Sequence, residues 1–349
     1  MTRLDGLRAV AALMVLTLHF LVDLDASFKF PFGEKGVPIF FVISGFLITS
    51  ILLKQKTISG FSKNQLIYKF VIKRALRLFP IYYLFLGGLF LLHKYGGLWI
   101  CEGNNEWYYF FYLQNVLFYD IGFQSTLLNH TWSLAVEEQF YLLWPWLIFY
   151  IPSKYESKML VSIFLIGIFS RACLELYYSG NGTIKGVTFM HFDTLGIGSL
   201  LAYWIYYDYS SVIKIFNKYG QIFFWISLLF SFYFATYNVN IPFVSNLFLI
   251  IMSVTVVFLC SNNNRFVLSK IFEYKYLVYL GKISYGIYLY HKVVPFFMQF
   301  TSDKFGYNLP NNNVLLFIIY TLITLVISIL SYELLEKHLL KLKKLFDVK

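Results

Sequence analysis

Arg8 and His19 stand eleven positions apart in the opening stretch MTRLDGLRAVAALMVLTLHF, which is otherwise apolar enough to be a membrane anchor. In a helix of 3.6 residues per turn, eleven steps amount to about 1100°, a residual turn of about 20° over a rise of about 16.5 Å, so the two side chains share a face. Asp5 lies one turn before Arg8 on roughly the same side. The segment therefore carries a polar stripe, with a guanidinium near its start and an imidazole in its far half. A charge at mid-bilayer costs on the order of 2.5–3.5 kcal/mol on insertion scales, so such groups usually face the protein interior or a water-filled cavity. For Arg8 alone, snorkelling to headgroups explains as much, and a hydrogen-bonded packing role is the plain alternative for His19. The acid–base reading is preferred for His19, because imidazole is the side chain whose proton moves near neutral pH.

Carboxylates appear in a second apolar stretch, HTWSLAVEEQFYLLWPWLIFY, which holds Glu137 and Glu138. One acid there is accounted for as a headgroup-level residue; two adjacent ones are harder to account for that way. The i±4 neighbours of Glu137 are Ser133 and Tyr141, a polar stripe, whereas those of Glu138 are Leu134 and Leu142. Such neighbours share a helix face, so Glu137 is the preferred carboxylate, with Glu138 and Tyr141 behind it. In KRALRLFPIYYLF, Arg74 and Arg77 are three apart and close enough around a helix to grip one polyanion. Planar forks of this kind suit phosphate. Taken alone the pair is a weak signal, since basic runs where a helix enters the cytoplasm more often report topology.

Lesser candidates follow. GVPIFFVISGFLITSILL places Ser44 and Gly45 mid-span; a glycine there most often permits close helix packing, with backbone approach to a ligand the minority reading. LGKISYGIYLYH carries Tyr285, Tyr288 and His291. Aromatic stripes of this type usually pack or line an interface, and His291 is a second-rank positioning candidate. His191 and Asp193 rank lower still. Cys101, Cys173 and Cys260 are scattered, with no metal or redox spacing, and no metal site is expected.

Membrane helices must position these groups. The chain is 58% hydrophobic and only 13% charged, about half the charged share of a soluble domain. Runs long enough to cross a bilayer recur at 7–24, 37–53, 74–92, 132–151, 158–178, 188–207, 219–237, 243–261, 276–300 and 313–335. They predict an all-α bundle of about ten transmembrane helices in one domain over residues 1–349, with no appended soluble domain. Continuous apolarity disfavours a β-barrel. The segment 107–119 is too short to span and reads as interfacial or re-entrant. No internal repeat, low-complexity tract or linker is found. The first run lacks a small-residue cleavage site and leads straight into a second span, so it is expected to be retained.

Lys54, Lys56, Lys63, Lys69, Lys73, Arg74 and Arg77 fall in one segment without an acid, while the segment after the third run holds Glu102, Glu106 and Asp120 against Lys94. The positive-inside rule makes the first segment cytoplasmic. Ten spans then put both termini inside, in agreement with Lys337, Lys341, Lys343, Lys344 and Lys349 in the tail. The net charge of +11 reflects topology and contact with anionic lipids, and no nucleic-acid partner is needed. With this topology Glu137 lies about 7.5 Å below Trp132. His19, counted back from Leu24, is at a similar depth, so base and carboxylate are expected to meet in the outer half. Trp99, Trp107, Tyr108, Tyr109 and Tyr112 could stack on sugar rings, but interfacial anchoring is the commoner role.

The stretches RLDGLRAVAALMVLTLH, GVPIFFVISGFLI, RALRLFP, TWSLAVEEQFYLLWP, ISYGIYLYH and SYELLEKHLLK resemble, in this order and end to end, the pattern of acyltransferase family 3, the bacterial integral-membrane O-acyltransferases. The most specific pieces are the Arg-x10-His, the RxxR and the WSLxVE stretch. The resemblance implies a ten-helix bundle in the inner (cytoplasmic) membrane. It would move an acyl group, commonly acetyl, from cytoplasmic acyl-CoA to a hydroxyl of a sugar or other acceptor, often a cell-surface glycan precursor. It makes His19 the motif histidine, Arg8 its partner, Arg74 and Arg77 the donor-side pair and Glu137 the motif carboxylate. Acetyl-CoA or another acyl-CoA is then a co-substrate, with no cofactor bound permanently. On this reading the donor's phosphates sit on Arg74 and Arg77, and its thioester arm reaches past Arg8 to His19. His19 takes the acceptor's proton, or carries the acyl group transiently. The family usually has a proline where this chain has His338, after Glu336 and Lys337. Some relatives continue into a soluble esterase-like domain after the last helix; this chain stops, and a second transfer is expected to need another protein. The rivals are a proton-coupled transporter or flippase, whose related halves and Gly/Pro-broken helices in corresponding positions the sequence does not show, and a non-catalytic scaffold.

Overall fold

The computed structural model describes residues 2–24, 35–97, 105–122, 127–177, 186–237, 244–262 and 266–347. Trp99, Cys101, Glu102 and Lys349 lie outside the described residues, as does the side chain of Asp120. The regular structure among the described residues is entirely helical. In chain order it consists of α1 (Thr2–Leu24), α2 (Gly36–Lys56), α3 (Lys63–Gly96), α4 (Glu106–Phe110), α5 (Gln114–Ile121), α6 (Trp132–Tyr150), α7 (Ser153–Tyr177) and α8 (Phe192–Tyr206). There follow α9 (Ser210–Thr236), α10 (Val244–Asn262), α11 (Ser269–Phe272), α12 (Lys275–Lys282), α13 (Ser284–Tyr290), α14 (Val293–Phe305), α15 (Asn313–Ser331) and α16 (Lys337–Leu342). A π-turn, Tyr332–Glu336, joins the last two, and a 3-10 turn, Lys343–Phe346, follows α16.

Six helices among the described residues are long and apolar enough to cross a membrane: Thr2–Leu21, Gly36–Lys56, Lys63–Gly96, Ser153–Tyr177, Val244–Asn262 and Asn313–Phe346. Two expected spans take another form. The run at 276–300 is broken into α12, α13 and α14, because Ile283 adopts φ −92° and ψ 3° between the first two and Pro295 falls in the first turn of the third. Proline is tolerated there for want of an N–H to donate. The run at 188–207 begins as a 3-10 turn, Thr188–His191, and leaves only 15 residues for α8. The third run is longer than expected. Ser62 caps α3 in a reciprocal box with Gln65, and Gly97 ends it at φ 69°, so 34 residues form one helix of about 51 Å. The segment 107–119 folds as the short helices α4 and α5.

The chain divides into two compact units, Met1–Ile43 with Tyr207–Leu330 and Ser44–Tyr206 with Ser331–Lys349. In the first, α1 packs against α10, α11, α12 and α13, burying Leu4, Leu7, Val15, Leu16 and Phe20. Glycines let the backbones touch. A Cβ on Gly281 would lie 1.8 Å from the carbonyl oxygen of Asp5, and one on Gly6 2.1 Å from that of Phe272. Overpacking typically costs about 1–3 kcal/mol, and here the obstacle is backbone on both sides. Gly281→Ala is therefore expected to lower the melting temperature in detergent. Gly87→Ala, where nothing lies within 4 Å, is expected to leave it unchanged or raise it.

In the second unit α6 packs on α3 and α5, and α7 on α8. Lys56, the last residue of α2, donates to the carbonyls of Ile148 and Ile151 at 2.8 and 3.0 Å and to Glu156 Oε1 at 2.6 Å. It thereby satisfies two carbonyls at the C-terminal end of α6 and pairs with a carboxylate that is 0% exposed. Removing one member of a buried pair typically costs about 3–5 kcal/mol. Lys56→Ala, which leaves Glu156 without this cation, is expected to shorten the survival of monodisperse protein at elevated temperature.

Candidate active site

In the first unit α1 presents Asp5, Arg8 and His19. Arg8 Nη1 donates to Asp5 Oδ1 at 3.3 Å, so the cation of the stripe is held one turn away by its own helix. The His19 ring centroid lies 5.0 Å from that of His291, with the planes inclined at 40°. His291 is 1% exposed and sits at the junction of α13 and α14. Its Nδ1 is 2.7 Å from the carbonyl oxygen of Tyr288. A carbonyl only accepts, so Nδ1 holds the proton and the neutral ring keeps its lone pair on Nε2. Phe20, fully buried, packs its ring against His291, Phe317 and Tyr320. The second-rank histidine of the sequence is thus the neighbour of the first-rank one. A break in the helix puts it there, and Pro295 was the only sequence sign of that break.

In the second unit Glu137 gathers two hydroxyls. Ser44 Oγ donates to its Oε1 at 2.8 Å and Tyr141 OH to its Oε2 at 3.0 Å, with the two hydroxyl oxygens 3.1 Å apart. The Arg74 guanidinium lies 5.3 Å from the centre of the Tyr141 ring and 5.7 Å from that of Phe70, within cation–π range. The ring of Tyr141 therefore lies beside Arg74 while its hydroxyl reaches Glu137. Glu138 is 5% exposed, and its Oε1 makes no hydrogen bond among the described residues. Arg74, Tyr82 and Tyr83 of α3 interact with it electrostatically. The tyrosine hydroxyls in turn donate to the carbonyls of Tyr109 and Phe110 at 3.0 and 2.9 Å, tying α4 to α3. Arg77, one turn along α3, interacts instead with Tyr332 and Glu336 of the π-turn. The two guanidiniums also act on one another, and both act on Lys343 of the C-terminal segment.

The remaining candidates contact neighbouring elements. At Gly45 a Cβ would meet the carbonyl oxygen of Leu195 at 2.1 Å, and Ser199 Oγ donates to the Gly45 carbonyl at 3.3 Å, so α2 and α8 touch here. The His191 ring lies 5.0 Å from that of Trp132. Asp193, 0% exposed, accepts from Arg171 Nε at 2.5 Å and Nη2 at 3.2 Å. Arg171 was missed in the sequence, where nothing links it to an acid 22 residues on. No group of metal-binding side chains occurs among the described residues. The arrangement offers a proton acceptor of two imidazoles in one unit and, in the other, a charged and hydroxylated cluster suited to holding polar substrate atoms.

Known proteins are similar to this chain along nearly all of its length. The family model for the acyltransferase domain matches residues 1–333. A peptidoglycan O-acetyltransferase of Listeria monocytogenes, OatA, is 30% identical over 97% of this chain and 55% of its own length. A Bacillus subtilis protein, YrhL, named by inference a peptidoglycan O-acetyltransferase, is 30% identical over 96% of this chain and 54% of its own. A Staphylococcus aureus protein named by inference an O-acetyltransferase is 29% identical over 96% and 56%. The chain thus spans about half the length of the curated relatives it matches. No solved structure matches it.

Proposed function

The chain belongs to the acyltransferase family, and from that membership we propose that it is a multi-pass O-acetyltransferase of the inner membrane acting on a cell-wall glycan or its precursor. The observation that carries the reading is the match over residues 1–333, which takes in Arg8, His19, Arg74, Arg77 and Glu137 together. In this proposal the protein crosses the membrane about ten times with both termini cytoplasmic, and acetyl-CoA is the donor from the cytoplasm. Its phosphates are held through Arg74 and Arg77 and its thioester is brought to His19, with Arg8 shaping the field along that face. The acceptor oxygen attacks the thioester carbonyl, the carbon–sulfur bond breaks, and His19 moves the acceptor's proton to the departing thiolate. Glu137, with Ser44 and Tyr141, holds or orients a reacting group; Glu138 and His291 are positioning groups.

The test is to supply purified protein in proteoliposomes with labelled acetyl-CoA and a muropeptide or lipid-linked disaccharide, and to weigh the glycan. An added acetyl group supports the reading, and a folded protein that leaves donor and glycan untouched contradicts it. The break at His291 favours one other reading, proton-coupled transport, since discontinuous helices line many transport sites. That reading expects substrate-driven proton uptake with no loss of acetyl-CoA.

A further inference from the structure

The C-terminal segment is docked on the basic face of α3. Lys73 Nζ pairs with Asp347 Oδ1 at 2.7 Å, and Lys69 Nζ donates to the Asp347 carbonyl at 3.3 Å. The segment's register is set by the π-turn, where the Lys337 N–H reaches back to the Tyr332 carbonyl. One extra residue in a turn rotates all that follows by about 100°. On the resulting face the lysines differ. Lys337, Lys341 and Lys344 are exposed, while Lys343 is half-buried. The charges acting on its ammonium are those of Arg77, Arg74 and Lys73, all of its own sign. Lys73 is paired with Asp347, Arg77 is faced by Glu336 and Arg74 by Glu138 and Glu137, whereas Lys343 makes no hydrogen bond or ion pair among the described residues. Like charges gathered in this way repel, and a polyanion is the ligand that turns the repulsion into attraction. Two planar forks and two ammonium groups suit several phosphates at once.

We propose that Lys343 completes, with Arg74, Arg77 and Lys73, a site for the phosphate-bearing end of coenzyme A. Lys343 lies beyond residue 333, where the family match ends, so that match assigns it nothing. The inference rests on the acyl-CoA reading above and adds that the C-terminal segment is part of the donor site.

The experiment is calorimetric titration of coenzyme A into the full chain in nanodiscs, with the KM for acetyl-CoA and kcat measured in parallel. Lys343→Ala is expected to weaken binding about tenfold, the loss of one charge-assisted hydrogen bond. The KM should rise in step, while kcat at saturating donor stays within about twofold. Lys343→Arg should restore most of the affinity. Lys343→Gln, which keeps the side chain's bulk, is measured beside it in case alanine impairs folding. If Arg77→Ala abolishes binding and the Lys343 variants bind as the unchanged protein does, the inference is overturned and the donor reading stands. If the variants keep coenzyme A affinity but lose co-purifying anionic lipid, Lys343 holds a lipid phosphate and the inference is again overturned. If the unchanged, folded protein binds no coenzyme A, both fall.

Discussion

Replacing His19 with alanine is expected to lower acetyl transfer by about 10²–10⁴-fold, the range in which a positioned general base contributes. The ring lies 5.0 Å from that of His291, whose own Nδ1 proton is committed to the Tyr288 carbonyl. Water replacing the His19 ring would be a far weaker base than imidazole at neutral pH. The loss should appear in kcat and kcat/KM together, since the base acts in the transition state, with little change in donor affinity. His19 is half-buried, so the variant should still reach the membrane and elute as the unchanged protein does. Release of free thiol from acetyl-CoA, followed with a chromogenic disulfide, reads the effect. A variant with undiminished turnover removes His19 from the chemistry.

Glu137→Gln is expected to cost about 10²–10³-fold in kcat, as removal of one preorganised polar group does elsewhere. The amide has the shape of the carboxylate and can stay within reach of Ser44 and Tyr141, which now donate to it at 2.8 and 3.0 Å. Fold and packing should therefore survive while the negative charge beside Arg74 is lost. Glu138→Gln provides the contrast. Its Oε1 has no hydrogen bond among the described residues, and we expect a loss within about tenfold. Kinetics of the two variants side by side decide the matter; the reverse order would transfer the role to Glu138.

The features legible in the sequence are those written along a single helix. The Arg8–His19 face of α1 follows from helical period alone, and so does the side of α6 on which Glu137 finds Tyr141. The parts that were not legible depend on partners distant in sequence. Glu138 was ranked down because Leu134 and Leu142 flank it, yet the groups that matter to it, Arg74, Tyr82 and Tyr83, are on α3. Lys56 and Glu156 are 100 residues apart, and no local pattern couples them. His291 depended on the break between α13 and α14, which hydropathy smooths over because all three pieces of that run are apolar. The length of α3, by contrast, was there to be read in the Ser62–Gln65 box and in Gly97. Lys343 could not be told from the lysines around it, because its face is fixed by a π-turn that hydropathy and periodicity do not reveal.

The proposed function requires that this chain open the thioester of acetyl-CoA with His19 as the base. Its most direct measurement is the single-turnover release of coenzyme A thiol by purified protein in proteoliposomes, with and without a glycan acceptor, for the unchanged chain and His19→Ala. The expected result is acceptor-dependent thiol release that matches acetyl gained by the glycan and is nearly abolished in the variant. Thiol release that is equal in both, or a folded protein that leaves acetyl-CoA intact with every acceptor offered, would contradict it.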